Sequence, residues 1–66
     1  MDELVQLLVR ASKSMGSLFE VARLLEVEPN SVYRWIAGVD SPPAERIALL
    51  TERLEAALAA APRAQR

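Results

Sequence analysis

Residues 17–38 constrain the fold more than any other segment, because they contain signals for two short helices separated by only three residues. Ala22 is the small residue that would allow the two helix backbones to approach each other. The apolar positions lie where two steeply crossing helices must touch: Val21 and Leu25 in the first helix, Val27 in the turn, Val32 and Trp35 in the second. The segment therefore predicts a two-helix unit with a tight turn.

Local residue choices mark the ends of these helices. Ser17 and Glu20 have the spacing of a capping box, in which each side chain satisfies a backbone N–H of the first turn. Pro29 is favoured at the first position of a helix, where its missing N–H has no consequence. Gly38 suits the left-handed conformation that ends a helix. We therefore expect one helix to begin directly after Ser17 and the other to extend from Pro29 to the residue before Gly38.

Two further helices are predicted outside this unit. The first extends from Asp2 to about Ser12, where leucines recur at helical spacing and the acidic residues at its start favour the positive end of the helix dipole. The last begins at Pro43 and continues without a helix breaker as far as Pro62. We expect the first helix to pack across the two-helix unit.

The predicted architecture is thus an all-α, four-helix domain with a long C-terminal helix. The segments 12–16 and 39–42 are predicted loops. The domain is expected to cover residues 1–61, and residues 62–66 are expected to form a disordered basic tail.

Size and composition narrow the possible functions. The 66 residues form one domain, close to the size at which oligomerisation supplements a small core, so a homodimer is expected. The chain has no Cys and no His, which excludes disulfides, thiolate metal sites and the usual catalytic base. Its serines and carboxylates lack a base or a metal-ligand set, so we expect no enzymatic activity, no metal and no cofactor.

Nothing in the sequence indicates a membrane protein. The apolar runs are too short to span a bilayer, and Asp2 and Glu3 occupy the place where a signal peptide would carry positive charge. We therefore expect a cytoplasmic protein without a membrane partner.

The net charge of −1 argues against strong non-specific binding to nucleic acids, because that affinity comes mainly from neutralised phosphates. The distribution of charge reduces this objection, because most acidic residues outside the two-helix unit can face away from a ligand: Asp2, Glu3, Glu45, Glu52 and Glu55. The cations that remain as candidate contacts are Arg10, Lys13, Arg23, Arg34 and Arg46.

The block VARLLEVEPNSVYRWIAG, followed by a loop and a proline, resembles the helix-turn-helix of Cro and phage-repressor type (XRE-like) DNA-binding proteins. The resemblance extends over roughly residues 17–50. The family commonly has Gly in the turn where this chain has Glu26, and a non-Gly residue with positive φ is uncommon. The short chain is also similar to the small autorepressors of phages and plasmids, including those that accompany anti-CRISPR genes.

The resemblance implies that the second helix of the unit reads bases in the major groove of DNA. A helical wheel places Val32 and Trp35 on one side and a polar face on the other. Asn pairs with adenine, Arg pairs with guanine, and a tyrosine can meet a thymine methyl or a phosphate. The candidate base contacts are Asn30, Ser31, Tyr33 and Arg34. The alternative is an ordinary solvated helix face.

Two neighbouring residues have alternative interpretations. Trp35 lies on the apolar side and is predicted to anchor the core, although a tryptophan can also stack on a base. Glu28 precedes Pro29 at the N-cap position, and we interpret it as a helix cap rather than as an acceptor for cytosine N4.

The candidate phosphate contacts lie outside the reading helix. Ser17 resembles the family position at which a backbone N–H at a helix start meets a phosphate. Arg10, Lys13 and Arg46 are either phosphate contacts or solvated charges.

The last helix carries a leucine stripe longer than the other three helices can cover. Its first half is expected to complete the core, and the stripe formed by Leu50, Leu54 and Leu58 is assigned to the interface with a second copy. The alternative is an Ala-rich end that frays.

These features predict a transcriptional repressor that binds double-stranded DNA as a homodimer. One helix of each subunit would enter successive major grooves of an inverted repeat and occlude a promoter, with the protein's own promoter as a candidate target. The competing interpretation is a protein-interaction module, such as an antitoxin or adaptor, which suits the acidic charge and the leucines.

Overall fold

Four α-helices form the domain in the computed structural model, which describes residues 3–60. They are α1 (Glu3–Met15), α2 (Leu18–Leu25), α3 (Pro29–Ala37) and α4 (Ala44–Ala60). The described residues contain no β-strand, so the predicted all-α, four-helix class is confirmed. The predicted basic tail, residues 62–66, lies outside the described residues.

The first helix is longer than the sequence predicted. Residues 12–15, predicted as part of a loop, form the last turn of α1. The hydroxyl of Ser12 donates a hydrogen bond to the carbonyl of Val9 at 2.8 Å, which satisfies this serine inside the helix. The helix ends only at Gly16, whose φ of 104° suits glycine and whose N–H donates to the Ser12 carbonyl at 2.9 Å. Helix α1 therefore continues through Ser12 and ends at Gly16, across residues that were predicted to form a loop.

Both predicted helix starts in the two-helix unit are correct. The hydroxyl of Ser17 accepts a hydrogen bond from the backbone N–H of Glu20 at 3.4 Å, and α2 begins at Leu18. Within residues 3–60, the Glu20 carboxylate accepts no hydrogen bond from the backbone N–H of Ser17, so only half of the capping box forms. Helix α3 spans Pro29–Ala37 and ends at Gly38, which has a φ of 80°.

The turn between α2 and α3 contains a residue in a conformation that favours glycine. Glu26 has φ 61° and ψ 43°, the only non-glycine positive φ among the described residues. The N–H of Val27 donates to the carbonyl of Ala22 at 3.0 Å, which closes the hydrogen-bonded loop of a Schellman motif. The Glu26 carboxylate lies 4.0 Å from the guanidinium of Arg53 on α4, and this contact is largely exposed. The chain therefore reverses between α2 and α3 with a glutamate in the left-handed conformation.

All four helices contribute to one apolar core. Helix α1 packs on α2 and α3, as predicted, and it also packs on α4, which was not predicted. Helix α4 packs on α1 and α2 and has no direct packing contact with α3. No polar or charged side chain of the described residues is buried. The core residues are Leu4, Leu8, Ala11, Val21, Ala22, Leu25, Val32, Trp35, Leu50 and Leu54.

The structure contradicts the assignment of two of the three α4 leucines, Leu50 and Leu54, to a dimer interface. Leu50 and Leu54 are 2% and 0% exposed within a single chain, so neither can contact a second copy. Leu58 is partly buried and packs against the same core. The reason is that α1 packs beside the second half of α4, where Leu7 and Glu55 border a common shallow groove. The uncovered half of α4 is instead its first part, residues 44–49, which are all exposed.

The left-handed turn gives a first prediction. Glu26→Gly should raise the free energy of unfolding by about 1 kcal/mol, because glycine removes a strain of about 1–2 kcal/mol and loses part of that gain through its greater freedom in the unfolded chain. Glu26→Ala removes the carboxylate but keeps the Cβ and should give no such gain. Urea denaturation of the three proteins measures the effect. A gain for the alanine variant equal to that for glycine would assign the effect to charge instead of backbone strain.

The burial of Leu54 gives a second prediction. Leu54→Ala should lower the free energy of unfolding by about 2–5 kcal/mol, because it leaves a cavity in a small core. Leu49→Ala, on the same helix but at a residue that is 43% exposed, should change it by less than about 1 kcal/mol. Denaturant titrations compare the two variants. Equal and small effects would contradict the position of α4 in the core.

Candidate nucleic-acid interface

Helix α3 presents one polar face to solvent and holds the other in the core. Asn30, Tyr33 and Arg34 are exposed, and Ser31 is half-buried at the edge of this face. Val32 and Trp35 on the opposite face are buried. Trp35 is 9% exposed, so its predicted role as a core anchor is confirmed and base stacking is excluded for this arrangement. The structure therefore brings the four predicted base contacts together on one accessible helix.

The side chain of Glu28 does not cap α3, contrary to the preferred sequence interpretation. Glu28 occupies the N-cap position with extended backbone, φ −73° and ψ 143°, but its carboxylate makes no capping hydrogen bond. Its backbone carbonyl accepts from the N–H of Ser31 at 3.0 Å, so the first turn is closed by the main chain. The Glu28 side chain is exposed, and the alternative contact with cytosine N4 stays a prediction.

Arg34 has an acidic partner that sequence reasoning missed. Its guanidinium lies 3.4 Å from Oδ2 of Asp40, and both side chains are about half exposed. Asp40 is itself held in place, because its Oδ1 accepts from the N–H of Ser41 at 2.9 Å and its own N–H donates to the Arg34 carbonyl at 3.4 Å. The sequence feature that could have predicted this pair is Gly38. A chain that reverses at a left-handed glycine brings the next residues back to the last turn of the helix before it.

A second missed residue is Phe19, which borders a groove between α2 and α3. We call this feature the aromatic groove and define it by Leu18, Phe19, Pro29, Asn30 and Tyr33. Phe19 and Tyr33 are 65% and 60% exposed. The exposure of Phe19 could have been predicted from helical periodicity, because Phe19 lies on a different face of α2 from the buried residues Val21 and Leu25. The polar face of α3 thus continues into an apolar surface that carries two accessible rings.

The candidate phosphate contacts are less closely grouped. Ser17 adjoins the aromatic groove, because it precedes Leu18 at the start of α2. Arg10 borders a separate groove between α1 and Ile36 of α3. Lys13 lies in the last turn of α1 rather than in the predicted loop. Arg46 lies in the first turn of α4, a helix that does not pack on α3.

Other kinds of site have little support within the described residues. Residues 3–60 contain no cluster of three or more acidic side chains that could hold a metal ion. None of the helices described is long and apolar enough to cross a bilayer.

The chain matches no protein-family model, no curated protein sequence and no solved structure. Its resemblance to Cro and phage-repressor type proteins therefore stays a prediction.

The pairing of Arg34 with Asp40 gives a third prediction. A double-mutant cycle of Arg34→Ala and Asp40→Asn should give a coupling of less than about 1 kcal/mol in the free energy of unfolding, because exposed ion pairs contribute little. Asparagine keeps the oxygen that accepts from the backbone of Ser41, so it isolates the charge. A coupling this small would mean that Arg34 can leave Asp40 and bind a ligand. A coupling above about 2 kcal/mol would mean that Arg34 is locked in this pair and unavailable to DNA.

Proposed function

We propose that this protein is a sequence-specific regulator that binds double-stranded DNA through α3. The observation that carries the proposal is the division of α3 into a buried side, with Val32 and Trp35, and an exposed side, with Asn30, Tyr33 and Arg34. A helix-turn-helix protein inserts such a second helix into the major groove, and the helix before it crosses the DNA backbone.

The exposed side chains suit the edges of bases. The amide of Asn30 matches the donor and acceptor of adenine N6 and N7, and the guanidinium of Arg34 matches guanine O6 and N7. The proposed mechanism needs no bound cofactor, because recognition uses only hydrogen bonds and apolar contacts. Repression would follow from occlusion of a promoter, including the promoter of the protein's own gene.

We propose further that two copies bind an inverted repeat. The small size of the domain supports this arrangement, since oligomerisation often supplements a small core. The contact surface differs from the one predicted from sequence, because Leu50 and Leu54 lie inside each subunit. Half-sites should then lie about 34 Å apart, one turn of the double helix. Footprinting and sedimentation of the complex measure the spacing and the number of copies.

A protein-interaction module is the second candidate function. The exposed rings of Phe19 and Tyr33 favour it, as do the net charge of −1 and the pairing of Arg34 with Asp40. Exposed apolar patches of this kind mark protein contacts as well as other interaction sites. A mobility shift on the duplex upstream of the protein's own gene distinguishes the candidates, because only the first requires DNA binding.

The proposed roles of individual residues give a fourth prediction. Arg34→Ala and Asn30→Ala should each weaken operator binding by about 1–3 kcal/mol and relax base preference at one position in each half-site, because each removes a direct base contact. Lys13→Ala is the comparison variant: if Lys13 meets a phosphate, this change should weaken binding to all sequences alike and lower the salt slope by about one per subunit, and if Lys13 is a solvated charge it should change neither.

Binding to a panel of single-base operator variants at two salt concentrations separates these effects. Unchanged base preference in both Arg34→Ala and Asn30→Ala would show that α3 is not the reading helix. The main support for the proposed function would then be lost.

A further inference from the structure

The aromatic groove suggests which bases the proposed regulator reads. No charged side chain lines it: its walls are Leu18, Phe19, Pro29 and Tyr33, and the amide of Asn30 is its polar member. Phe19 is 65% exposed although its ring is entirely apolar. Two exposed rings grouped in this way form an apolar patch of the kind that can take up a ligand.

The position of the groove favours base edges over the sugar-phosphate backbone. Leu18 and Phe19 are the first two residues of α2, and Pro29 and Asn30 are the first two of α3. A recognition helix places its N-terminal residues against the bases, which sets Pro29 and Asn30 there, whereas Leu18 and Phe19 border the groove from α2, the helix that crosses the DNA backbone. A phosphate does not suit the groove, because the walls are apolar and the exposed carboxylate of Glu28 adjoins Pro29.

We propose that the aromatic groove accepts the 5-methyl group of a thymine, with Phe19 as its principal contact, and that Asn30 reads an adenine beside it. The thymine methyl is the apolar group that base edges present in the major groove, and apolar side chains, including Phe, read it. Phe19 would then be a specificity-determining residue, and the operator half-site would contain A·T pairs opposite the start of α3. This inference rests on the proposed function.

Deoxyuridine tests the inference, because it lacks only the methyl group of thymine and keeps the same pairing. Tight-binding duplexes are first selected from a random pool with the purified full chain, and each thymine is then replaced by deoxyuridine in turn. One replacement in each half-site should weaken binding about four-fold, the loss expected for one buried methyl group. Replacements at other thymines should have little effect.

Phe19→Ala connects this loss to the groove. The variant should bind the thymine duplex about sixteen-fold more weakly than wild type, about four-fold for each of the two half-sites, and should no longer distinguish thymine from deoxyuridine at that position. Leu49→Ala is the matched control, because it truncates an exposed leucine on α4, which does not pack on α3. It should keep both the wild-type affinity and the response to deoxyuridine, and circular dichroism checks that both variants are folded.

The outcomes separate this inference from the proposed function. If selected duplexes bind tightly but no replacement changes affinity, or if Phe19→Ala stays as sensitive to deoxyuridine as wild type, the groove does not read a methyl group and DNA binding still stands. If no duplex is enriched or bound, the proposed function fails, and the inference fails with it. A protein side chain would then be the expected occupant of the groove.

Discussion

The domain depends on the packing of α1 against the other three helices. Leu8 and Ala11 on α1 are completely buried, and α1, like α2, contacts all three other helices of the described chain. Helices α3 and α4 have no direct packing contact, so they are held in one core through α1 and α2. In a domain this small, each buried leucine is a large part of the apolar area that opposes chain entropy. The position of the polar face of α3 is therefore a consequence of contacts on the far side of that helix.

The turn between α2 and α3 shows how the core can impose an unfavourable local conformation. Glutamate has no intrinsic preference for the left-handed region, and Glu26 adopts it with φ 61°. The conformation is retained because it allows Val27 to close the turn on Ala22 and brings the buried faces of both helices together. Strain of this size persists only where the surrounding contacts determine the backbone.

The electrostatics of the candidate interface favour selective over general binding to DNA. Arg34 is the cation on the exposed side of α3, and it faces Asp40 at 3.4 Å. Glu28, exposed at the N-cap of α3, is a second acidic residue of this segment. General affinity for DNA comes from neutralised phosphates, which this arrangement supplies weakly. Under the proposed function, recognition would therefore depend on hydrogen bonds and apolar contacts with base edges, and the acidic partner of Arg34 would disfavour binding to unrelated sequences.

Capping residues and apolar spacing were sufficient to predict the two helices of the unit, although not the left-handed turn at Glu26 that joins them. Ser17, Pro29 and Gly38 act within a few residues of themselves, so the bounds of α3 and the start of α2 could be predicted from the sequence. The exposed face of α3 followed from the same periodicity, because Val32 and Trp35 had to be buried. The end of α1 escaped prediction, since the hydroxyl of Ser12 is satisfied by the carbonyl of Val9 and does not end the helix.

Contacts between distant segments had to be decided by the tertiary structure. A leucine stripe on α4 has the same pattern whether it meets α1 or a second subunit, and only the packing of α1 beside it placed Leu50 and Leu54 inside the domain. The pairing of Arg34 with Asp40 and the joining of Phe19 to Tyr33 likewise depend on how the chain reverses. Periodicity in the sequence shows which face of a helix is apolar. The packing of the whole core determines which other helix, or which second subunit, that face contacts.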